Sequence, residues 1–174
     1  MNVTIRRIRA EDAALARALR LRALASDRLS FGSTYEAEVG RDDAFWDEST
    51  KRHAESEDQA IFLAMSGDAA VGVVRGARDE TRPGFFLIHS MWVAPELRRQ
   101  GVAAALLDTV EKWIASGGGT VCELAVTNAA PAAHRLYERA GYLADGTPSR
   151  AGTRASSSTV CAKRCDGCWY RPRG

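Results

Sequence analysis

The segment HSMWVAPELRRQGVAAA, residues 89–105, decides the fold of this chain. Its residue pattern predicts the end of a buried strand and a tight turn, followed by a run of basic residues, a glycine and the start of a helix. Pro95 ends the strand because it has no N–H group to donate to a neighbouring strand. Gly101 lacks a side chain, so a ligand can approach the backbone closely there. The helix that follows has one predicted apolar face, formed by Val102, Leu106, Val110, Trp113 and Ile114.

The start of this predicted helix is suited to an anion. Its first N–H groups have no partner inside the helix, and the helix dipole makes this end positive. We therefore expect a phosphate or pyrophosphate to bind at Gly101. The alternative is an ordinary strand–turn–helix unit with basic residues on its surface.

Two segments resemble the GCN5-related N-acetyltransferase (GNAT) superfamily. Arg98–Ala103 resembles its (Q/R)-x-x-G-x-(G/A) signature, and Leu136–Tyr142 resembles its L-Y-x-x-x-G-F/Y segment. The resemblance extends from Met1 to about Tyr142. It implies an α/β (α+β) fold with a mixed, mostly antiparallel central sheet flanked by helices. It also implies acetyl-CoA as co-substrate, whose acetyl group passes to a primary amine by direct attack in a ternary complex.

The resemblance places the coenzyme at the end of the central strand and on the helix behind it. There the main-chain N–H of Val93 would donate to the thioester carbonyl oxygen as its charge develops. Tyr137 would protonate the leaving thiolate, although it could instead be a helix tyrosine packed on the sheet. The complete predicted coenzyme set is Met91, Trp92, Val93, Arg98, Arg99, Gln100, Gly101, Val102, Ala103, Ala104, Asn128 and Tyr137.

The chain departs from the family pattern at two positions. The usual coenzyme-binding asparagine is replaced by Ala130, and the nearest asparagine is Asn128, which could cap the helix or reach the ligand. The glutamate base of some relatives is replaced by Ala125. Glu123, on the same strand face, is our candidate for the base, and His89 is a weaker one because a histidine in an apolar strand is more often structural. Water alone could also deprotonate a weakly basic amine.

The segment Ser26–Val39 interrupts the helical pattern where the family builds its acceptor wall. Its aromatic and acidic side chains predict a site for a cationic amine, formed by Phe31, Tyr35 and Glu36. Alternatively, the aromatic rings only pack a loop onto the core. A small-molecule acceptor is our first hypothesis. A protein N-terminus or lysine is the second, and an acyl-CoA-binding module with little turnover is the third.

Patterning predicts the remaining elements in chain order. Strands are expected at Val3–Arg9, Ala60–Met65, Ala69–Ala77, Phe85–Val93 and Thr120–Val126. Helices are expected from Glu11, over Asp42–Ala54, from Val102 to the glycines at 117–119, and over Asn128–Ala140.

Composition indicates one soluble domain. The 174 residues carry a net charge of +2, with basic residues scattered, so a nucleic-acid partner is not indicated. The sequence contains no apolar run that would span a bilayer and no apolar signal segment, so we expect a cytoplasmic protein without a membrane partner.

The C-terminal segment differs from the rest in composition. We assign residues 1–144 to a single catalytic domain and 145–174 to a polar tail, in which Ser157–Lys163 is a poor last strand. Because that strand is weak, a homodimer deserves testing. Cys161, Cys165 and Cys168 lack a nearby fourth ligand, so we expect no metal site. A free thiol cluster, or a tail out of reading frame, is the alternative.

Overall fold

The computed structural model describes residues 3–28, 31–148 and 158–165. Within these ranges the helices are α1 Ala13–Ser26, α2 Tyr35–Val39, α3 Asp43–Glu55, α4 Val102–Ser116 and α5 Pro131–Arg139. The strands are β1 Thr4–Arg7, β2 Gln59–Ser66, β3 Ala69–Arg78, β4 Phe85–Val93, β5 Val121–Thr127, β6 Leu143–Pro148 and β7 Ser158–Arg164.

The strands form one mixed sheet in the order β1-β2-β3-β4-β5-β7-β6. β4 and β5 are parallel, and the other neighbouring pairs are antiparallel. The helix α4 connects the two parallel strands, which a hairpin turn cannot do. The predicted fold class, a mixed and mostly antiparallel sheet flanked by helices, is confirmed.

Helices cover both faces of the sheet. A Cβ atom placed on Gly76 would lie 2.8 Å from both Val110 and Trp113, so this glycine allows α4 to lie close to β3. The preceding residue, Arg75, faces the other way, because side chains alternate along a strand, and it lines a cavity with residues of α1 and α3. The predicted apolar face of α4 is buried against the sheet at Val102, Leu106, Val110 and Ile114.

Two local predictions are corrected by the structure. Tyr35–Val39, expected to be irregular, forms the short helix α2, which Thr34 caps by accepting a hydrogen bond from the Ala37 N–H at 3.2 Å. The last helix begins at Pro131 and has Ala130 at its N-cap, so Asn128 does not cap it. Proline suits the first helical position because the N–H that it lacks would have no partner there.

The sheet continues beyond the predicted domain boundary. The boundary at residue 144 falls inside β6, and β7 pairs with the whole of β5. The described part of the C-terminal segment therefore belongs to the same sheet, while the division at residue 144 and the reading-frame alternative stay predictions. Pairing with β5 compensates for the low strand propensity of this segment.

The cysteines of the C-terminal segment lie close to the sheet. Cys161 is buried in β7, and the Cys165 Sγ lies 3.1 Å from the Cys122 Sγ of β5. Cys168 lies outside the described residues. In the described part of the chain, no group of three or more His, Cys, Asp or Glu residues could hold a metal ion.

Candidate active site

The residues after β4, 94–104, form a connection that we call the Gly101 loop. Pro95–Leu97 make a 3₁₀ turn, and two residues beyond it have left-handed backbone, Arg99 at φ 61° and Gly101 at φ 83°. The Ala105 N–H donates to the Gly101 carbonyl oxygen at 3.0 Å, which is the first hydrogen bond of α4. The N–H groups of residues 102–104 precede that bond, so the helix supplies them with no acceptor.

The surroundings of Gly101 leave room for a ligand. A Cβ atom at this position would meet nothing within 4 Å among the described residues. The positive helix end therefore faces open space, as the predicted anion site requires. Arg99 and Gln100 are both exposed, and the Gln100 amide donates to the Glu96 carbonyl oxygen at 3.1 Å.

The Arg98 side chain is held by protein groups, and its predicted contact with the coenzyme stays a prediction. Its Nε donates to the Val93 carbonyl oxygen at 2.9 Å, and its Nη2 donates to the Asp27 carboxylate at 2.6 Å. The Trp92 indole N–H donates to the same carboxylate at 2.7 Å. Burial alone would raise the pKa of Asp27, but hydrogen bonds from Ser26, Trp92 and Arg98 lower it. Arg98 and Trp92 therefore hold the loop against the end of α1, and their side chains are engaged away from a coenzyme phosphate.

β4 and β5 separate before either strand ends. Their pairing runs from Phe85 with Val121 to Ile88 with Leu124 and stops there. Ser90 has φ 56° at a bulge in β4, where the register with β3 also shifts. The gap between the strands therefore opens beside the last residues of β4.

The main chain of Val93 faces this gap. The Ala94 N–H donates to the Val71 carbonyl oxygen at 2.8 Å, so the neighbouring pair of Val93 and Gly72 is of the non-hydrogen-bonded type. The Val93 N–H consequently points away from β3 and towards the β5 side. This direction is the one that the predicted oxyanion donor needs.

Tyr137 lies on α5 and is 7% exposed. Its ring packs edge-on against Tyr142, with the ring centroids 5.8 Å apart. Burial raises the pKa of Tyr137 to about 12, so its phenol keeps its proton at neutral pH. A protonated phenol can donate its proton to a leaving thiolate. A tyrosine that only packs against the sheet would be buried to the same extent.

Glu123 is held in an ion pair, and its assignment as a base stays a prediction that this geometry does not favour. Its carboxylate accepts two hydrogen bonds from the Arg82 guanidinium, at 2.7 and 3.1 Å, and the ion pair raises the pKa of Arg82. Glu123 also lies opposite Leu87, inside the paired part of β4 and β5 rather than at the gap. It therefore fixes the Arg82 segment to the sheet.

His89 of β4 and Asn128, which directly follows β5, lie near the gap between these two strands. The His89 side chain is accessible to solvent, yet the protein around it and the charge of Arg75 lower its pKa to about 4. His89 is therefore neutral near pH 7 and can accept a proton only weakly. The Asn128 side-chain oxygen accepts a hydrogen bond from Thr159 of β7 at 2.8 Å.

The three residues of the predicted acceptor wall lie in different surroundings, and their role in binding stays a prediction. Phe31 is buried and lines a cavity, with the Arg20 guanidinium 4.8 Å from its ring centroid. Tyr35 is 37% exposed, and the Glu36 carboxylate pairs with Arg28 at 2.6 Å on the surface. Tyr35 and Glu36 therefore do not line the cavity, and the expected aromatic and acidic cluster does not form.

The cavity lies between the helices α1–α3 and the sheet, and we call it the helix–sheet cavity. Its volume is about 200 Å³. Its apolar walls include Ile8, Leu19, Phe31, Ile61, Leu63 and Val73. Its polar and charged residues include Arg20, Glu38, Arg41, Trp46, His53 and Arg75. Ser90, at the bulge of β4, also lines it and connects it to the strand that ends at Val93.

Sequence reasoning missed most of this cavity. Trp46, Thr50 and His53 recur at helical spacing, and all three are buried on one face of α3. Arg75 is a charged residue inside strand β3, between Val74 and Gly76. Each feature indicates a buried polar cluster from the sequence alone, because buried polar side chains need hydrogen-bond partners.

Comparison with known proteins identifies the family. The family model of the acetyltransferase (GNAT) family matches residues 21–142. The chain belongs to the GNAT family of acetyltransferases. The family resemblance of the two sequence segments is thereby confirmed. A comparison with curated proteins found no significant sequence match.

Solved structures of the GNAT family share the fold over most of the chain. A GNAT acetyltransferase from Streptococcus pneumoniae superposes with a TM-score of 0.79 at 19% identity, over 94% of this chain and 99% of that one. The protein yncA of Salmonella typhimurium, solved with its cofactor acetyl-CoA, gives 0.74 at 16% identity over 98% of both chains. A chimera of Vibrio cholerae spermidine N-acetyltransferase SpeG and hSSAT gives 0.72 at 16% identity, over 95% and 97%.

The GNAT family uses acetyl-CoA as co-substrate, which confirms the predicted cofactor. The residues of this chain fit that molecule. The Gly101 loop offers backbone N–H groups and open space, which a diphosphate needs, and the gap between β4 and β5 leaves unpaired strand edges. An extended pantetheine arm can add to such an edge like another strand.

Proposed function

We propose that this GNAT acetyltransferase moves the acetyl group of acetyl-CoA to the amine of a small molecule, by direct attack in a ternary complex. The proposal rests on the position of the helix–sheet cavity relative to Val93. Ser90 lines the cavity, and Val93 ends the same strand three residues later. An amine held in the cavity would therefore approach the main-chain donor of Val93 from within the fold.

Each residue has a separate task in this proposal. The N–H groups at the start of α4 would hold the diphosphate, and the Val93 N–H would stabilise the developing oxyanion. Tyr137 would give its proton to the coenzyme thiolate, and proton transfer of this kind contributes about 10²- to 10⁴-fold to a rate. No carboxylate base is needed when water takes the proton of a weakly basic amine.

A small cavity between helices and sheet supports the small-molecule hypothesis over a protein substrate. A cavity of about 200 Å³ between helices and sheet does not accommodate a folded chain or an extended peptide. Acetylation of a protein N-terminus or lysine instead calls for an open groove. The third hypothesis, binding of acyl-CoA with little turnover, is decided by assay.

Two measurements on the same sample test the proposal. Calorimetric titration with acetyl-CoA should give one saturable site per chain. Release of free coenzyme thiol should then increase when small primary amines are added. Binding without release on any amine would support the acyl-CoA-binding module, and release only with peptides would support a protein acceptor.

Localisation and oligomeric state remain predictions. The helices that the structure describes are too short or too polar to cross a membrane. β6 forms one edge of the sheet, where a second copy could pair, and light scattering coupled to size exclusion would measure the mass in solution.

A further inference from the structure

Three residues that line the helix–sheet cavity each have a buried polar side-chain atom without a partner among the described residues. These atoms are the Trp46 Nε1, the His53 Nε2 and the Arg75 Nε. Burying one polar group without a hydrogen bond is costly, and native proteins rarely do so. A ligand in the cavity could supply the missing partners once these side chains shift slightly towards it.

The donor or acceptor character of each atom follows from its chemistry. The indole N–H of Trp46 and the Nε–H of Arg75 are donors. The His53 Nδ1 lies 2.6 Å from the Ser49 carbonyl oxygen, which only accepts, so Nδ1 carries the proton. Burial and the charges of Arg75, Arg52 and Arg7 lower the pKa of His53 to about 4. His53 is therefore neutral near pH 7, and its Nε2 is an acceptor.

The charges around the helix–sheet cavity favour an anionic ligand group. Its one glutamate, Glu38, is already held by Arg20 through two hydrogen bonds of 3.0 and 2.9 Å. Arg75 donates to the neutral Gln59 amide at 2.8 Å, and no carboxylate pairs with it in the described ranges 3–28, 31–148 and 158–165. Arg41 stacks on the Phe45 ring, 4.0 Å from its centroid. Arg75 is therefore a cavity cation without a paired carboxylate, and its Nε also has no hydrogen-bond partner in the described part of the chain.

We propose that the helix–sheet cavity selects an acceptor amine that also carries a carboxylate and a small apolar group. This inference rests on the proposed function and names its substrate class. The carboxylate would accept from Arg75 and Trp46, because both present unpartnered donors. The neutral His53 Nε2 would accept an N–H of the ligand, and the apolar walls would contact its side chain. A polyamine lacks the anionic group and would bring more positive charge beside Arg75.

Matched acceptors test the inference directly. L-leucine and 3-methylbutylamine differ by the carboxylate, as do L-phenylalanine and 2-phenylethylamine. Each amino acid should be acetylated with a kcat/KM about 10- to 100-fold above that of its matched amine, which is the range for hydrogen bonds to a charged group. Spermidine should be poorer than either amino acid. Equal or reversed preference within both pairs would overturn the carboxylate site.

Arg75→Gln separates recognition from folding. It should raise the KM for L-leucine by about 10- to 100-fold, leave kcat/KM for 3-methylbutylamine nearly unchanged and leave acetyl-CoA affinity unchanged. Arg78→Gln is the matched control, because Arg78 lies on the same strand but pairs with Asp58 outside the cavity. Equal losses on both acceptors would mean that Arg75 only supports the fold.

A binding measurement keeps the inference separate from the proposed function. N-acetyl-L-leucine, which carries the carboxylate, should shift the Trp46 indole N–H resonance in the nuclear magnetic resonance spectrum of the wild-type protein, assigned with Trp46→Phe. N-acetyl-3-methylbutylamine should not. Such a shift without thiol release on any amine would retain the site and reject the transferase. Turnover without carboxylate preference and without the shift would retain the transferase and reject the site.

Discussion

The Gly101 loop offers main-chain groups to a ligand, whereas the helix–sheet cavity offers side chains. The loop presents main-chain N–H groups at the start of α4, and most of its side chains are exposed or engaged elsewhere. The cavity presents side chains from helices and strands that are far apart in sequence. A main-chain site depends on backbone shape, whereas a side-chain site depends on the identity of each residue. The loop can therefore serve a shared coenzyme while the cavity selects the acceptor.

Gly101→Asp should cause the largest change, because it alters the main-chain site by charge and by shape. The carboxylate would lie where a diphosphate is expected, and the residue would have to keep φ 83°. We expect acetyl-CoA binding to fall below detection by calorimetry. Gly118→Asp is the matched control, since Gly118 has φ 79° and an equally open Cβ position near the other end of α4. Similar affinity of both variants would place the diphosphate elsewhere.

Tyr137→Phe removes one hydroxyl and keeps the packing of the ring. We expect kcat to fall about 10²-fold or more, with acetyl-CoA affinity nearly unchanged, because the acid acts only on the leaving thiolate. Steady-state kinetics and calorimetry on the same preparation measure both quantities. In the control Tyr142→Phe, the lost hydroxyl donates to Glu111 at 2.8 Å, so stability should fall but kcat should not. An unchanged kcat in Tyr137→Phe would make Tyr137 a packing residue.

Acid should weaken the helix–sheet cavity through His53. Because the folded pKa is about 4 and the ordinary value is 6.5, the unfolded chain binds more protons between these values. Stability should therefore fall as the pH decreases from 6.5 towards 4 and stay flat above 6.5 as far as His53 is concerned. Between pH 7 and pH 5 this amounts to about 2 kcal/mol. Urea unfolding should show a smaller pH dependence in His53→Gln, and an equal slope would disprove the assignment.

Arg98→Met and Arg99→Met test whether these neighbouring residues of the Gly101 loop differ in role, one in stability and the other in acetyl-CoA binding. Arg98 bonds to Val93 and Asp27, so its loss should lower stability by about 1 kcal/mol, the upper end for partly exposed ion pairs. Arg99 is exposed beside the helix start, so its loss should weaken acetyl-CoA binding several-fold without a change in stability. Thermal unfolding and calorimetry distinguish the two, and the reverse pattern would make Arg98 the phosphate ligand.

The same distinction explains what could be predicted from the sequence. The Gly101 loop is local: Pro95, Gly101 and the apolar face of α4 lie within a few turns of chain, and each has a direct backbone consequence. The fold class followed from that segment and the patterned strands. Contacts between residues far apart in sequence decided the surroundings of the other site residues. One example is Glu123, whose partner Arg82 lies some 40 positions earlier.

Weak local signals account for the remaining errors. β6 contains Gly146 and Pro148, which disfavour strands, and pairing with β7 stabilises it in spite of them. The cavity combines Trp46 and His53 of one helix with Arg75 of a strand, and no spacing rule connects them. The helical spacing of Trp46, Thr50 and His53 and the charge of Arg75 inside β3 were local indications that polar groups would be buried there.

The most direct test of the account is a crystal structure of the protein with acetyl-CoA bound. We expect the diphosphate on the N–H groups of residues 102–104, and the thioester carbonyl oxygen within hydrogen-bond distance of the Val93 N–H. Acetyl-CoA bound away from the start of α4, or with its carbonyl directed away from Val93, would contradict the account.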